Sequence, residues 1–247
     1  MGKKEKNRWY KNWFNSPYYH KLYKHRDKSE ASTFIANITK QLNLPQQAKV
    51  LDLACGKGRF SIELAKQGYD VTGLDLAEES IAIAKQHETE NLCFRQGDMR
   101  EPIANNEFNA VFNLFTSFGY FDDKAEDEKV FKAVYQQLKP NGYFVFDFIN
   151  TQQAINSLVA SEQKTVDGVA FNISREYDGK HIIKTISFSA NGKTHSYQEK
   201  VAAYNYPTLS SMLKNNGFKE EAVYGNYKLA SFSEKESKRL IILLKKK

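Results

Sequence analysis

The chain has 247 residues, 41% hydrophobic and 26% charged, the balance of an ordinary globular protein with enough apolar material for a full core. Two cysteines, Cys55 and Cys93, without metal spacing, exclude a disulfide-stapled or metal-ribbon architecture and point to a reducing, cytoplasmic setting. The net charge of +7 raises nucleic acid as a partner, but part of the excess lies in Lys3, Lys4, Lys6 and Arg8 and in Lys245 to Lys247, runs that read as solvated tails.

The opening MGKKEKNRWY has no apolar stretch for export and no Ser or Thr at position 6 for myristoylation. The aliphatic run Leu240 to Leu244 is too short to span a bilayer, so no membrane partner is expected. The sequons at Asn37 and Asn172 read as incidental. Residues 16–43 read as helical in two pieces, with a capping-box-like Asp27-Lys-Ser-Glu30 and with Phe34, Ile35, Ile38 and Leu42 at helical spacing. After Pro45, KVLDLA predicts a strand, GRFSIELAKQG an amphipathic helix stopped by Gly68, YDVTGLDL a second strand and EESIAIAKQHE a second helix. LCFRQGD and FNAVFNLF read as the third and fourth strands, residues 123–139 as a helix closed by Pro140-Asn-Gly142, and YFVFDFI as the fifth strand. Strands alternating with helices of this length imply right-handed crossovers and a parallel sheet.

The rhythm then changes. Three β-rich stretches joined by Asp178-Gly179 and Asn191-Gly192 predict a three-stranded antiparallel insertion over about 164–206. Pro207 opens a helix ending near Gly217, and FKEEAVYGNY and KRLIILL add two strands, the second returning to close the sheet.

VLDLACGKGRF joins the first strand to its helix through Gly56 and Gly58, where backbone can approach a ligand and the helix start offers free N–H groups. The third small position of a dinucleotide fingerprint is Ser61 here, and no G-x-x-x-x-G-K-[ST] cradle occurs, so NAD and nucleoside triphosphates are disfavoured. Asp52 on the first strand suits a cationic ammonium. Asp75, ending the second strand 17 residues after Gly58, suits a ribose diol. Asp98 after the third strand suits an exocyclic amine, with the Met99 N–H for a ring nitrogen. An ammonium, a diol and an adenine amine at three successive strand ends describe S-adenosylmethionine.

From about 48 to 150 the chain resembles the class I S-adenosylmethionine-dependent methyltransferases in LDLACGKGRF, GLDLAEESI, GDMR and FNAVFNLFTSFGYF. DMR…FNAV…FTSFGY, the aromatic N-terminal helix and the late insertion are further similar to small-molecule, amino-sugar-type members. The resemblance implies a Rossmann-like, doubly wound α/β fold: a mostly parallel seven-stranded sheet with one antiparallel strand, plus a small antiparallel β insertion. Residues 1–163 and 207–247 would form the methyltransferase domain, with a helical lid over about 9–43, and 164–206 the insertion. It also implies that Ala54, Cys55, Gly56 and Gly58 hold the methionine moiety with Asp52 near its ammonium. Asp75 would take the ribose, Leu76 the adenine face, Asp98 and Met99 its edge, and Asn113, Leu114 and Phe115 the wall by the sulfonium.

In SPYYHKLYKHRD, Tyr19, Tyr23 and Arg26 fall on one helix face. Arg26 would pair with the methionine carboxylate and Tyr23 join that binding set, while Tyr19, His20 and Tyr120 are the candidate catalytic groups. No metal site is read. FTSFGYF sets hydroxyls among aromatics, as a small-molecule pocket requires, and lacks the Asn/Asp-Pro-Pro-aromatic segment of methyltransferases acting on DNA bases or glutamine. The expected activity is methyl transfer to N or O of a small molecule by a monomer or homodimer. An RNA or protein methyltransferase, and a catalytically silent sensor of the cofactor, are the alternatives.

Overall fold

A computed structural model describes residues 9–24 and 28–247. It opens with helices α1 (Trp9–Phe14), α2 (Pro17–Leu22) and α3 (Lys28–Leu42), then β1 (Lys49–Leu53), α4 (Arg59–Lys66), β2 (Asp70–Asp75), α5 (Glu78–Ala84), β3 (Leu92–Gln96), β4 (Phe108–Asn113), α6 (Lys124–Gln137) and β5 (Leu138–Ile149). There follow α7 (Thr151–Asn156), β6 (Ser161–Val166), β7 (Val169–Tyr177), β8 (His181–Ala190), β9 (Lys193–Ala202), α8 (Tyr206–Asn215), β10 (Phe218–Tyr224) and β11 (Arg239–Lys246).

Seven strands form one sheet in the order β10-β11-β5-β4-β1-β2-β3. From β3 to β5 all pairs are parallel, and β11 runs antiparallel to both β5 and β10. This is the doubly wound, mostly parallel sheet with one antiparallel strand that the sequence implies. The strand order reverses at β1, so the carboxyl ends of β1 and β4 diverge and open a crevice. Both faces are covered, which is why the strands read as continuous apolar runs. Along β11, Ile241 and Leu243 pack with Phe34, Ile38 and Leu64 on one face, while Leu240, Ile242 and Leu244 join Phe131, Leu209 and Leu213 on the other. Side chains of this size contribute about 1.5–3 kcal/mol each when fully buried.

Local chemistry sets the helix starts. The Ser16 hydroxyl accepts from Tyr18 N at 3.2 Å ahead of Pro17, Asp123 caps α6 through Ala125 N at 2.9 Å, and Asn205 caps α8 through Thr208 N at 3.0 Å. Asp27 lies outside the described residues.

The structure departs from expectation in four places. Pro140-Asn141-Gly142 does not end the helix as a loop. It lies inside β5, with Asn141 at φ 62° and a register shift between Phe108 and Ala110. The antiparallel sheet has four strands, in the order β6-β7-β8-β9. The extra strand β6 is exposed at five of its six residues and so shows no apolar alternation. Asp167 (φ 46°) and Gly168 (φ 78°) turn it into β7, as Asn191 (φ 52°) and Gly192 (φ 71°) turn β8 into β9. The short α7 is a further addition. Last, Lys246 is not part of a solvated tail. Its buried ammonium donates to Asn106 Oδ1, Tyr135 O and Leu138 O at 2.7–2.9 Å, and burial lowers its pKa.

The second sheet turns Phe171, Ile173, Ile186 and Phe188 onto Trp13 and Leu22, so α1 and α2 are docked by that sheet. Among the described residues no helix is long and apolar enough to cross a membrane.

Asp127, in the first turn of α6, is fully buried and accepts from Tyr204 Oη at 2.9 Å. Burial pushes its carboxyl up to about 7. The folded protein therefore holds a proton that the unfolded chain releases near 4, and stability falls as pH rises from there through 7. The melting temperature should decline between pH 5 and 8, and the Asp127→Asn variant should lose a measurable part of that slope in a calorimetric pH series.

Candidate active site

The glycine loop leaves β1 through three left-handed residues, Ala54 (φ 62°), Gly56 (φ 57°) and Gly58 (φ 78°). The two glycines do different work. A Cβ at Gly56 would meet nothing within 4 Å, so its bare face opens onto free space. A Cβ at Gly58 would lie 2.4 Å from Phe94 Cζ, so this glycine serves packing against β3. The loop is tied down by Cys55 N to Leu74 O at 3.0 Å and Gly56 N to Asp75 Oδ2 at 2.7 Å. Asp75 Oδ1 accepts from Ala77 N at 2.8 Å, so one carboxylate clamps both the loop and the start of α5.

Asp52 is buried beneath the loop, and Ser61 Oγ donates to its Oδ2 at 2.6 Å. Burial pushes its carboxyl up to about 6, against the pull of the Ser61 bond and with help from the nearby Asp75 charge. Burial first, and then Asp52 and Asp75, raise the Cys55 thiol well above its ordinary range.

A cavity of about 850 Å³ opens along this loop. Its wall takes in Asp52, Ala54, Cys55 and Gly56 from β1 and its loop, Asp75 and Leu76 from the tip of β2, and Asp98 and Met99 after β3. Leu114, Phe115 and Tyr120 follow from the segment after β4, and Tyr19, His20 and Tyr23 from α2 and its end. Two sequence-derived candidates lie behind the wall. Gly58 faces Phe94, and the buried Asn113 donates to Leu53 O at 3.1 Å and Ser117 O at 3.2 Å, locking the end of β4 to that of β1. Arg26 lies outside the described residues. Asp98 is gripped by Arg100, with Nε on Oδ1 at 3.0 Å and Nη2 on Oδ2 at 2.5 Å, while Arg100 Nη1 reaches Glu126 at 2.5 Å.

The opposite wall is strained. Phe115 (φ 60°) and Thr116 (φ 63°) are consecutive left-handed residues, each costing on the order of 1–3 kcal/mol. Buried Asp147 on β5 holds them. Its Oδ2 accepts from Phe115 N at 2.8 Å and Tyr227 Oη at 2.8 Å, its Oδ1 from Arg239 Nε at 2.8 Å, and its backbone O from Thr116 N at 3.0 Å.

Residues 45–202 match a family model described as a methyltransferase domain. Bacillus subtilis YqeM, named as a methyltransferase, is 31% identical over 198 residues, covering 76% of this chain and 80% of the relative. The chain belongs to the class I S-adenosylmethionine-dependent methyltransferases. A Streptomyces venezuelae dTDP-3-amino-3,4,6-trideoxy-alpha-D-glucopyranose N,N-dimethyltransferase is 28% identical over 122 residues, which cover 49% of this chain and 51% of that protein. The solved structure of an S-adenosylmethionine-dependent methyltransferase from Clostridium acetobutylicum superposes with a TM-score of 0.78 at 22% identity, over 93% of this chain and 96% of that one. S-adenosyl-L-methionine is thus the cofactor, and the open face of Gly56 between Asp52 and Asp75 fits it.

Beyond the glycine loop and the neighbouring strand tips, the cavity of this methyltransferase is lined by Trp9, Phe14, Tyr19, Tyr23, Tyr120 and Phe121. Tyr120 packs edge-on against Trp9, and its hydroxyl donates a hydrogen bond to Thr116 O at 2.5 Å. Arg59 lies over Phe60 and Phe115, at 4.4 and 4.8 Å, and Arg239 over Phe115 at 5.6 Å. Arg59, Arg239, Glu199 and Val201 in the wall escape sequence reasoning. Arg59 directly follows Gly58 in the chain, so its place beside the loop is a local one. The other three arrive through long-range strand pairing that leaves no local signal. Among the described residues no group of three His, Cys, Asp or Glu could hold a metal ion.

The unequal glycines give a test. Gly58→Ala should cost about 1–3 kcal/mol of stability, from the left-handed backbone and the Phe94 collision together, and Gly56→Ala about 1 kcal/mol, from backbone alone. Chemical denaturation of both variants measures the difference.

Proposed function

We propose that this enzyme transfers its methyl group to a nitrogen or oxygen of a small-molecule acceptor. The acceptor would lie in the compartment roofed by α1, α2 and the four-stranded sheet, with α1 and α2 acting as part of a lid. The observation that carries the reading is the continuous cavity, which runs from the glycine loop into an aromatic compartment beyond it. An aromatic-lined compartment continuous with the glycine loop suits a small molecule better than an RNA or protein segment, and gives a silent sensor no purpose. The amino-sugar methyltransferase relative supports the same substrate class.

The cofactor supplies a methyl carbon already activated by positive sulfur. The protein's task is alignment and exclusion of water, and alignment alone contributes about 7–11 kcal/mol. In this reading the backbone from Ala54 to Gly56 holds the methionine moiety, with the Asp52 charge facing its ammonium. Asp75 uses its remaining lone pairs on the ribose diol, Leu76 covers the adenine, and Asp98 with Met99 meets its edge. Leu114 and Phe115 bound the reacting centre, and Tyr23 closes the cofactor side. Tyr19 and His20 face the acceptor.

Asp52 gives a pH test of the cofactor site. Burial keeps its proton on up to about 6, whereas a cationic ammonium favours its ionised form. Cofactor affinity should therefore rise from pH 5 to 7 and level off above, and Asp52→Asn should flatten the profile in calorimetric titrations with S-adenosylhomocysteine. Asp75→Ala should weaken binding more than tenfold at every pH, and unchanged affinity in that variant would remove Asp75 from the site.

For the acceptor, incubation with methyl-labelled S-adenosylmethionine and separate pools of metabolites, total RNA and protein should place the label in the metabolite pool. Label in RNA or protein alone would replace the small-molecule reading.

A further inference from the structure

Helix α1 has six residues, too few to hold a helical turn in water unaided, so its place is set by what its side chains meet. It is held at two ends. Trp13 is fully buried against the four-stranded sheet, with Nε1 donating to Glu199 Oε1 at 2.7 Å and its ring 4.6 Å from that of Tyr197. Tyr23 Oη donates to the same Glu199 oxygen at 2.6 Å. At the other end, Trp9 packs edge-on against Tyr120 at 5.5 Å and Tyr10 edge-on against Phe121 at 5.8 Å. Those two partners belong to the segment between β4 and α6, in the main domain.

Phe121 also carries the Arg100 guanidinium over its ring, at 4.4 Å from the centroid. Arg100 divides its donors between two carboxylates. Nε and Nη2 grip Asp98 at 3.0 and 2.5 Å, and Nη1 reaches Glu126 Oε2 on α6 at 2.5 Å. Asp98, Phe121 and Tyr10 line the cavity, and Arg100 stands behind its wall. It thus lies between the carboxylate assigned to the adenine edge and the ring on which α1 rests. We propose that Arg100 is a positioning residue that couples the cofactor's adenine to the seating of α1, so that the roof of the acceptor compartment is completed by the loaded cofactor. This rests on the reading in which Asp98 meets the adenine.

The coupling follows from the shape of the groups. A guanidinium is a rigid planar fork, so two bonds to one carboxylate tie its plane to that of the carboxylate. An exocyclic amine donating to Asp98 fixes the carboxylate from the cavity side, and the fork and the ring beneath it lose their remaining freedom together. Tyr10 then docks on a platform already ordered, which lowers the entropy lost when α1 seats. The effect is reciprocal: what the cofactor adds to the seating of α1, a seated α1 adds to the cofactor's affinity. The Asp98–Arg100 pair belongs to the main domain alone, so the contact that carries the coupling to α1 is Arg100 on Phe121.

The chain's two tryptophans, Trp9 and Trp13, both lie in α1, so tryptophan emission reads that helix and no other. In the full wild-type chain, saturation with S-adenosylhomocysteine, followed by calorimetry, should reduce the quenching of this emission by acrylamide. Phe121→Leu leaves Asp98, Arg100 and Glu126 in place and should abolish that ligand-dependent fall. It should also weaken S-adenosylhomocysteine about two- to fivefold, the fold-change of a partly exposed cation–π contact. Arg100→Met should lose the same fall, and either variant decides where the other does not fold. A Phe121 that merely fills space would raise quenching equally with and without ligand and leave the fall intact. No fall in the wild type with ligand bound, or a fall that persists in the variants, overturns the proposal. Unchanged S-adenosylhomocysteine affinity in Asp98→Ala is a separate result, which would overturn the adenine reading beneath it.

Discussion

The bond from Gly56 N–H to Asp75 is the constraint around which the site is arranged. It closes the end of β1 onto the end of β2 at 2.7 Å and holds the loop in a left-handed path that leaves its outer face bare. The same carboxylate holds the start of α5, so the loop, the strand tip and the helix move as one piece. Buried Asp52 below lies close enough to feel the Asp75 charge, which together with burial raises its carboxyl, and the Ser61 hydroxyl offsets part of that cost. Two acids kept this close in a dry place favour a cationic neighbour, the chemistry that the proposed binding of the cofactor's ammonium would supply.

The facing wall is held by a different device. Asp147 spends both oxygens and its backbone carbonyl on Phe115, Thr116, Tyr227 and Arg239. Two adjacent left-handed residues would relax without that hub, so the shape of the wall depends on a carboxylate that does not itself line the cavity. Arg239 comes from β11 and Tyr227 from the segment before it, so the last strand of the sheet braces the reactive wall as well as completing the core.

Much of this architecture is written locally. Alternation of strand and helix, glycine after an apolar strand, and acids at three successive strand ends are short-range patterns, and they place Asp52, Asp75 and Asp98 around one cavity. What local patterns hide is the partner of each group. Gly58 reads as a ligand-facing glycine, but its neighbour is Phe94, on another strand. Asp98 reads as an open acceptor, yet it is clasped by Arg100, whose geometry depends on Glu126 from α6. Lys246 reads as tail until Tyr135 and Leu138 come close enough to bind its ammonium. β6 carries no apolar face, so only its pairing with β7 makes it a strand. Glu199 looks like any solvated residue of a hairpin and gains meaning only when Trp13 and Tyr23 meet it from the other end of the chain.

The placement of β11 has a consequence for biogenesis. It is the last strand of this sheet to leave the ribosome, yet it lies in the interior, between β5 and β10, and carries five consecutive buried aliphatic residues. Until it emerges, β5 presents an unpaired edge and Phe144, Phe146 and Phe148 lack part of their cover. The edge of β5 therefore stays open to pairing with other chains until β11 is made, and sheet closure is tied to that strand rather than to the glycine loop made before it.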